Sequence, residues 1–434
     1  MRYVAICLFL FGNYCFAQVN IEFKNLQDVL NLAEKNSYTS KIATEQSGLS
    51  KLTIQSAYGN ALNPKLPATA SITDNARLPV NFIPAEAFGG APGTFRSVTL
   101  GQKYISTFNV SPQFDIIQFG SLAKIKSAKV NDQLTQSNNL VSKKNLFDQV
   151  NACYHNILSF QAQIEVLKAN KEKSDSNLRI VKNKYDQGLV RKQDLNDAEI
   201  NSITIADKLE QSKLSLDQQY LTLRILCDTE VEMRVSQSLW DIPAQSENLD
   251  ANGDLSVKNS ELQASFARAE FAAAKWQNMP TLSFVSSFNW QNNSNKQFFD
   301  NQQKWIYSNF WGLKLSWDIP TNVAKLTTQK SAEINYKIAQ INAEHLTLQN
   351  KTQNEQMEKD YAKAVAQYNN YLHISKLKEE NYQKSKNQFE ANILPLDRLL
   401  IAHNDMLMSQ INVATGLANV SFNKSKIDIN NQIR

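Results

Sequence analysis

The chain has 434 residues, of which 42% are hydrophobic and 9% aromatic, and a formal net charge of +5. Its 12 Gly and 10 Pro make up about 5% of the chain against an average near 12%; turns draw on both residues, so the elements are few and long and a turn-rich α/β enzyme is excluded. The apolar content excludes disorder, the weak charge offers no basic face to nucleic acid, and a mean hydropathy of −0.42 excludes a polytopic helical membrane protein.

In chain order, residues 1–17 read as a secretory signal peptide: Arg2, an apolar run from Val4 to Phe16, and a small residue, Ala17, before the cut. The run is too short to span a bilayer. Gly12-Asn13-Tyr14 lacks the residues expected ahead of a lipidated Cys15. Cleavage removes Cys7 and Cys15 and leaves Cys153 and Cys227.

Residues 18–228 form a first structural repeat of helices, two strands and a long hairpin. The strand at 66–74 alternates Leu66, Ala68, Ala70 and Ile72 with Thr69, Ser71 and Thr73. The strand at 98–117 alternates Tyr104, Phe108, Val110 and Phe114 with Thr107, Asn109, Gln113 and Asp115. From Ser121 to Ile242 there is no Pro and one Gly, Gly188. The helical spacing of Phe147, Val150, Tyr154 and Ile157 predicts a helix of about 100 Å. Tyr185 to Val190 reverses the chain at a tip near 188, and Leu209, Leu216 and Leu223 form a coiled-coil seam on the return. Residues 229–254 are polar and aperiodic, a linker.

Residues 255–434 repeat the plan. Strands at 280–291 and 306–318 alternate Leu282, Phe284, Phe288 and Trp290, then Tyr307, Trp311, Leu313, Leu315 and Trp317, with polar residues. Thr321 to Leu394 holds neither Gly nor Pro, and a second tip lies near 392, where Asn replaces Gly in the left-handed position. Tyr185–Ala198 and Phe389–Ala402 have equal spacing, so the chain reads as an internal tandem duplication.

The alternation fits a transmembrane barrel with lipid outside and water inside, or a half-buried sheet of a soluble domain. In lipid, four strands cannot close, so chains would pool them, two giving eight strands and three giving twelve. Gln133, Gln136, Ser137, Asn138 and Asn139 suit helices that line a wet tube.

These features together resemble the TolC-type outer-membrane efflux family. The resemblance rests on the duplication, the Pro-x-Leu strand entries (Pro64, Pro280), Phe114-Asp115 and Trp317-Asp318 closing the second strands, and the tip motif from Tyr185 to Ala198. It implies a mainly α fold, with long hairpins forming a periplasmic α-barrel and four strands contributing to a shared transmembrane β-barrel. It implies a homotrimer in outer-membrane lipid, acting as a passive exit duct of an efflux or type I secretion system, with a periplasmic adaptor and an inner-membrane transporter as partners. A periplasmic coiled-coil adaptor or scaffold with a small soluble β-domain is the alternative.

The tips, Gly188-Leu189-Val190 and Asn392-Ile393-Leu394, are candidate adaptor contacts, because a plain hairpin turn needs no exposed apolar pair. Lys182, Lys184, Arg191 and Lys192 beside the first tip are either a solvated face or part of that docking. In the family, acidic residues after the second tip ring the aperture. Here those positions hold Arg398 and Ile401, with Asp397 one place off, while Asp194 and Asp197 occupy them in the first repeat. These four charged residues, Asp194, Asp197, Asp397 and Arg398, are the candidate aperture residues. Cys153 and Cys227 flank the first tip evenly, as a bridge or as two buried thiols. His155, His345, His373 and His403 are isolated, Met406 and Met408 read as filler, and the Gly89–Gly93 loop lacks a phosphate-binding Lys. No catalytic, metal or cofactor site is expected.

Overall fold

A computed structural model describes residues 21–243, 249–319, 321 and 323–433. The expected signal peptide, 1–17, lies outside them. The elements begin with β1 (Ile21–Phe23), α1 (Leu26–Asn36), α2 (Tyr38–Leu62), β2 (Ala68–Asp74), β3 (Val80–Pro84), β4 (Phe95–Thr99), β5 (Tyr104–Val110) and β6 (Gln113–Gln118). They continue with α3 (Phe119–Asp186), α4 (Lys192–Leu226), β7 (Met233–Val235), α5 (Leu255–Trp276), β8 (Thr281–Ser294), β9 (Ile306–Ser316), α6 (Val323–Glu390) and α7 (Leu396–Gln432). The helices α3 and α6 are each 68 residues long, which the scarcity of Gly and Pro permits. The chain divides into two units: Met1–Gln46 with Gln136–Ser260 and Ala343–Arg434, and Ser47–Thr135 with Glu261–Asn342.

The first unit is helical. Its main core joins Leu146, Phe147, Val150, Tyr154, Ile157 and Leu158 of α3 to Val29 and Leu30 of α1, Leu223 of α4, and Ala414 and Leu417 of α7. The coiled-coil seam of α4 is present: Ile205 and Leu223 are buried and Leu209, Leu216 and Leu226 pack partly buried beside them. The 229–254 segment is more than a linker. Its β7 pairs in parallel with β1, Ile21 against Met233 and Phe23 against Val235, and Met233, Val235 and Leu239 are buried in the main core. Of the polar residues expected to line a tube, Gln133 and Gln136 are exposed, while Ser137, Asn138 and Asn139 also tie helices together. Asn259 Nδ2 donates to Ser137 Oγ at 3.0 Å and Asn138 Oδ1 at 2.8 Å, and Asn139 Nδ2 to the Ala43 carbonyl at 3.0 Å. Cys153 and Cys227 are free thiols buried in this core. Burial pushes them up to about 12 and about 11, so neither is a ready thiolate.

The second unit holds one antiparallel sheet. β2 pairs with β5; β5 and then β6 pair along one edge of β8; β9 pairs along the other. The sheet thus has four strand positions in the order β2, β5/β6, β8, β9. The strand expected over 98–117 is divided. Val98 and Thr99 belong to β4, which pairs with β3 in a separate hairpin. Pro112, with no N–H to donate, separates β5 from β6. The registers put the chain ends that lead to α2, α3, α5 and α6 at one end of the sheet and the β2–β5 and β8–β9 loops at the other.

Val150 is fully buried near the middle of α3. Val150→Pro removes a helix hydrogen bond and clashes with the preceding turn, a cost of about 3 kcal/mol or more, so helical circular dichroism and the yield of protease-resistant protein should both collapse.

Candidate functional site

Both tips end their first helix in the same backbone motif. Gly188 sits at φ 73° and Asn392 at φ 60°, the left-handed region that Gly and Asn tolerate best. Gly188 N–H donates to Tyr185 O at 2.9 Å and Leu189 N–H to Lys184 O at 2.8 Å. Asn392 N–H donates to Phe389 O at 3.1 Å and Ile393 N–H to Gln388 O at 2.9 Å. These paired bonds close the last turns of α3 and α6 as a Schellman motif does. The return helices start differently. The Asp194 carboxylate accepts from Arg191 N–H at 2.8 Å, whereas α7 begins at Pro395 without a side-chain cap.

The two hairpins pack against each other at the tips. Val181, Ala198, Tyr382, Phe389, Leu396, Leu399 and Met406 are buried together, with Val190 half-buried against them. Of the six tip residues, Leu189 and Ile393 carry the exposed apolar surface, 59% and 74% exposed; Val190 and Leu394 are half-buried. Lys184, seen in the sequence as one of a charge cluster, holds the second tip. Its Nζ donates to the Phe389 carbonyl at 2.6 Å and to Asn392 Oδ1 at 2.6 Å, and lies 4.3 Å from the Phe389 ring centroid. A cation thus caps the carbonyl end of α6, where the helix dipole favours it. No sequence pattern reveals this, because the partner lies in the other hairpin. Of the candidate aperture residues, Asp194 is half-buried at its capping position, and Asp197, Asp397 and Arg398 are exposed. Arg398 Nε stands 4.0 Å from Asp397 Oδ2.

Behind the tip core, His403 is fully buried, stacks on Tyr382 at 5.0 Å, and has no hydrogen-bond partner for either ring nitrogen among the described residues. Burial, aided by Lys173, holds it down to about 4. His155 is likewise held down to about 4 by burial; its Nδ1 donates to the Asn151 carbonyl and its Nε2 accepts from Ser421 Oγ. His345 and His373 are exposed. Met406 fills the tip core, while Met408 is 47% exposed. Among the described residues no group of three His, Cys, Asp or Glu could hold a metal.

The sheet, in the other unit, presents an apolar face. The registers align Phe108, Trp290 and Tyr307 in one row, with ring centroids 5.7 and 5.3 Å apart, and Phe114, Phe284 and Leu313 in another. Trp311, Leu313, Leu315 and Trp317 stand exposed on the same side, Trp311 at 79%. The opposite side is mostly polar, with Phe310 and Ile306 as apolar exceptions: Asn109 Nδ2 donates to Ser287 Oγ at 2.8 Å and Ser283 Oγ to Asp115 Oδ1 at 2.6 Å. Lys314 shares that side through its register with Ser283. No helix among the described residues is long and apolar enough to cross a membrane.

Two measurements check the tip geometry. Lys184→Met should speed amide exchange at Ile393 and its neighbours by about tenfold or more, as befits loss of charge-assisted bonds. The buried histidines set the sign of acid sensitivity. Below about 6.5 the unfolded chain binds protons that the folded one refuses, so stability present above that pH is lost as pH falls toward 4. His403→Leu should roughly halve the fall in melting temperature over that interval, since His155 keeps its own share.

Residues 54–227 match the family model described as outer membrane efflux protein. No protein of curated function matches the sequence. Among solved structures, the outer-membrane protein VceC of Vibrio cholerae has a TM-score of 0.69 at 14% identity, over 93% of this chain and 94% of that one. The Campylobacter jejuni CmeC outer-membrane channel gives 0.69 at 16%, over 93% and 84%. The open Neisseria gonorrhoeae MtrE channel gives 0.66 at 14%, over 92% and 88%. At such identities the likeness carries the fold. The sequence match itself spans 54–227, within the first repeat and short of half the chain.

Proposed function

We propose that the protein is a trimeric outer-membrane exit duct, with its sheet in the bilayer and its helices in the periplasm. The observation that carries this reading is an open four-stranded sheet with one aromatic-rich apolar face and an opposite face that is mostly polar. From Ile306 to Ser316 the strand β9 covers roughly 34 Å at ~3.4 Å per residue. Tilted by about 40°, it rises about 26 Å, the height of a lipid-facing band between aromatic girdles. A soluble scaffold leaves that face without a purpose.

Closure needs other copies. Eight strands from two chains make a barrel whose interior side chains fill. Twelve strands from three chains are the fewest that leave a bore. The helices next to the two open edges support lateral joining. In the second unit Leu49, Leu52 and Leu62 of α2, which leads to β2, are exposed, as are Leu326, Ile334, Ile338 and Ile341 of α6, which follows β9. Such stripes suit helix-to-helix packing between copies.

The internal duplication gives each copy two hairpins and two tips. Leu189 and Ile393 are the apolar contacts for a periplasmic adaptor, which couples the duct to an inner-membrane transporter. Asp197, Asp397 and Arg398 border the aperture, and Asp194 serves its own helix. The duct does no chemistry; cargo moves through when the tips part.

Detergent-solubilised protein added to a planar bilayer should give discrete, lasting conductance steps from a trimer-sized particle. A monomer that stays soluble without detergent and never conducts would falsify the duct.

A further inference from the structure

The hairpin that joins β2 to β5 continues well past the sheet. Pairing runs beyond Asp74 and Tyr104 through Asn75 N to Lys103 O at 2.8 Å and Leu100 N to Pro79 O at 3.2 Å. It then enters the β3–β4 ladder, from Val80 opposite Thr99 to Pro84 opposite Phe95. One face of that ladder carries Val80, Phe82 and Phe95, all exposed, Phe82 at 72%. The other face has Ile83 and Val98, both half-buried.

The β8–β9 loop offers a second apolar surface at the same end of the sheet. Phe299, Trp305 and Ile306 are exposed there, with the Phe299 and Trp305 rings 6.3 Å apart. This loop is held by bonds. Phe299 N–H donates to Ser106 Oγ at 3.1 Å, Asp300 N–H to Asn292 Oδ1 at 3.0 Å, and Asn292 Nδ2 to Gln303 O at 3.0 Å. Phe299 keeps φ 52°, strained for a bulky residue. A bonded loop that displays aromatic rings to water is organised for a partner.

Strand direction identifies that partner. β2 runs toward the loop end of the sheet and β9 runs away from it. Antiparallel pairing of β2 with β9 of a neighbouring copy therefore sets the chain just past Asp74 beside the chain just before Ile306. The first is the β3–β4 hairpin and the second is the aromatic loop. We infer that Val80, Phe82 and Phe95 of one copy dock on Phe299, Trp305 and Ile306 of the next, clasping each barrel seam at its loop end. Within one copy the two surfaces belong to opposite edges, with β5 and β8 between them. The inference rests on the edge-to-edge closure proposed above.

Cysteine pairs with a short bismaleimide separate the clasp from that closure. Ser71→Cys combined in turn with Ser308→Cys and Gly312→Cys reports the β2–β9 seam, since all three lie on the polar side. Phe82→Cys with Trp305→Cys reports the clasp. Both sets should give covalent dimers and trimers on denaturing gels. Seam cross-links without clasp cross-links overturn the clasp and spare the closure; neither set cross-linking overturns both. Phe82→Cys alone linking to itself would mean that the hairpins meet over the bore, and overturns the clasp as well. Phe82→Ser/Phe95→Ser should also lose its SDS-resistant trimer at a temperature that the unaltered protein survives, with an unchanged helical spectrum.

Discussion

The rest of the structure is arranged around the open outer edges of one sheet, β2 and β9, which no other described strand pairs. Along the outer edges of β2 and β9, N–H and C=O groups point away from every other strand of the sheet. In water such edges invite unwanted pairing. In hydrocarbon each unmet group costs several kcal/mol, more than any side-chain contact returns. Even the pairing inside one copy is distant in sequence, since β6 meets β8 with Gln113 opposite Val285. The two halves of the chain are therefore already joined at the sheet, and neither half makes a closed surface by itself.

Helix ends pose the same problem on a smaller scale, and the tips answer it in three ways. A left-handed residue closes the last turn of α3 and of α6. Asp194 satisfies an amide at the start of α4. Lys184 satisfies carbonyls at the end of α6. Only the start of α7 lacks a side-chain cap, because Pro395 offers none. The second tip thus relies on the first through Lys184, and it also displays the more exposed apolar residue, Ile393.

Much of this was legible in the sequence, for physical reasons. The absence of Gly and Pro marks α3 and α6, and period-two alternation marks β2, β8 and β9. Pro112 escaped notice because Phe108, Val110 and Phe114 keep the same parity on both sides of it. The β3–β4 hairpin was hidden by the turn-forming residues around it; Val80-Asn81-Phe82-Ile83 is too short to stand out. The 229–254 segment looked like a linker because Met233 and Val235 become core only through pairing with β1, from the far end of the chain. At the tips, the turn residues could be read and the Lys184 clasp could not. The aperture candidates followed the family's positions after the tips, and the capping bond that Asp194 gives its own helix is not visible in position alone.

A bundle of such long helices must also choose its register, and apolar packing alone is non-directional. Polar pairs along α3 remove that ambiguity. Asn151 Nδ2 donates to Phe422 O, His155 meets Ser421, Asn170 Nδ2 donates to Gln410 Oε1, and Asn177 Nδ2 to Tyr382 Oη. Lys184 ends the series at the tip. A slipped register would strand the buried Asn151, His155, Asn170 and Asn177 in the interior, where an unpaired polar atom costs about 1–3 kcal/mol. Buried Asn and His, poor choices for stability alone, therefore act as position marks that hold the two tips level with each other.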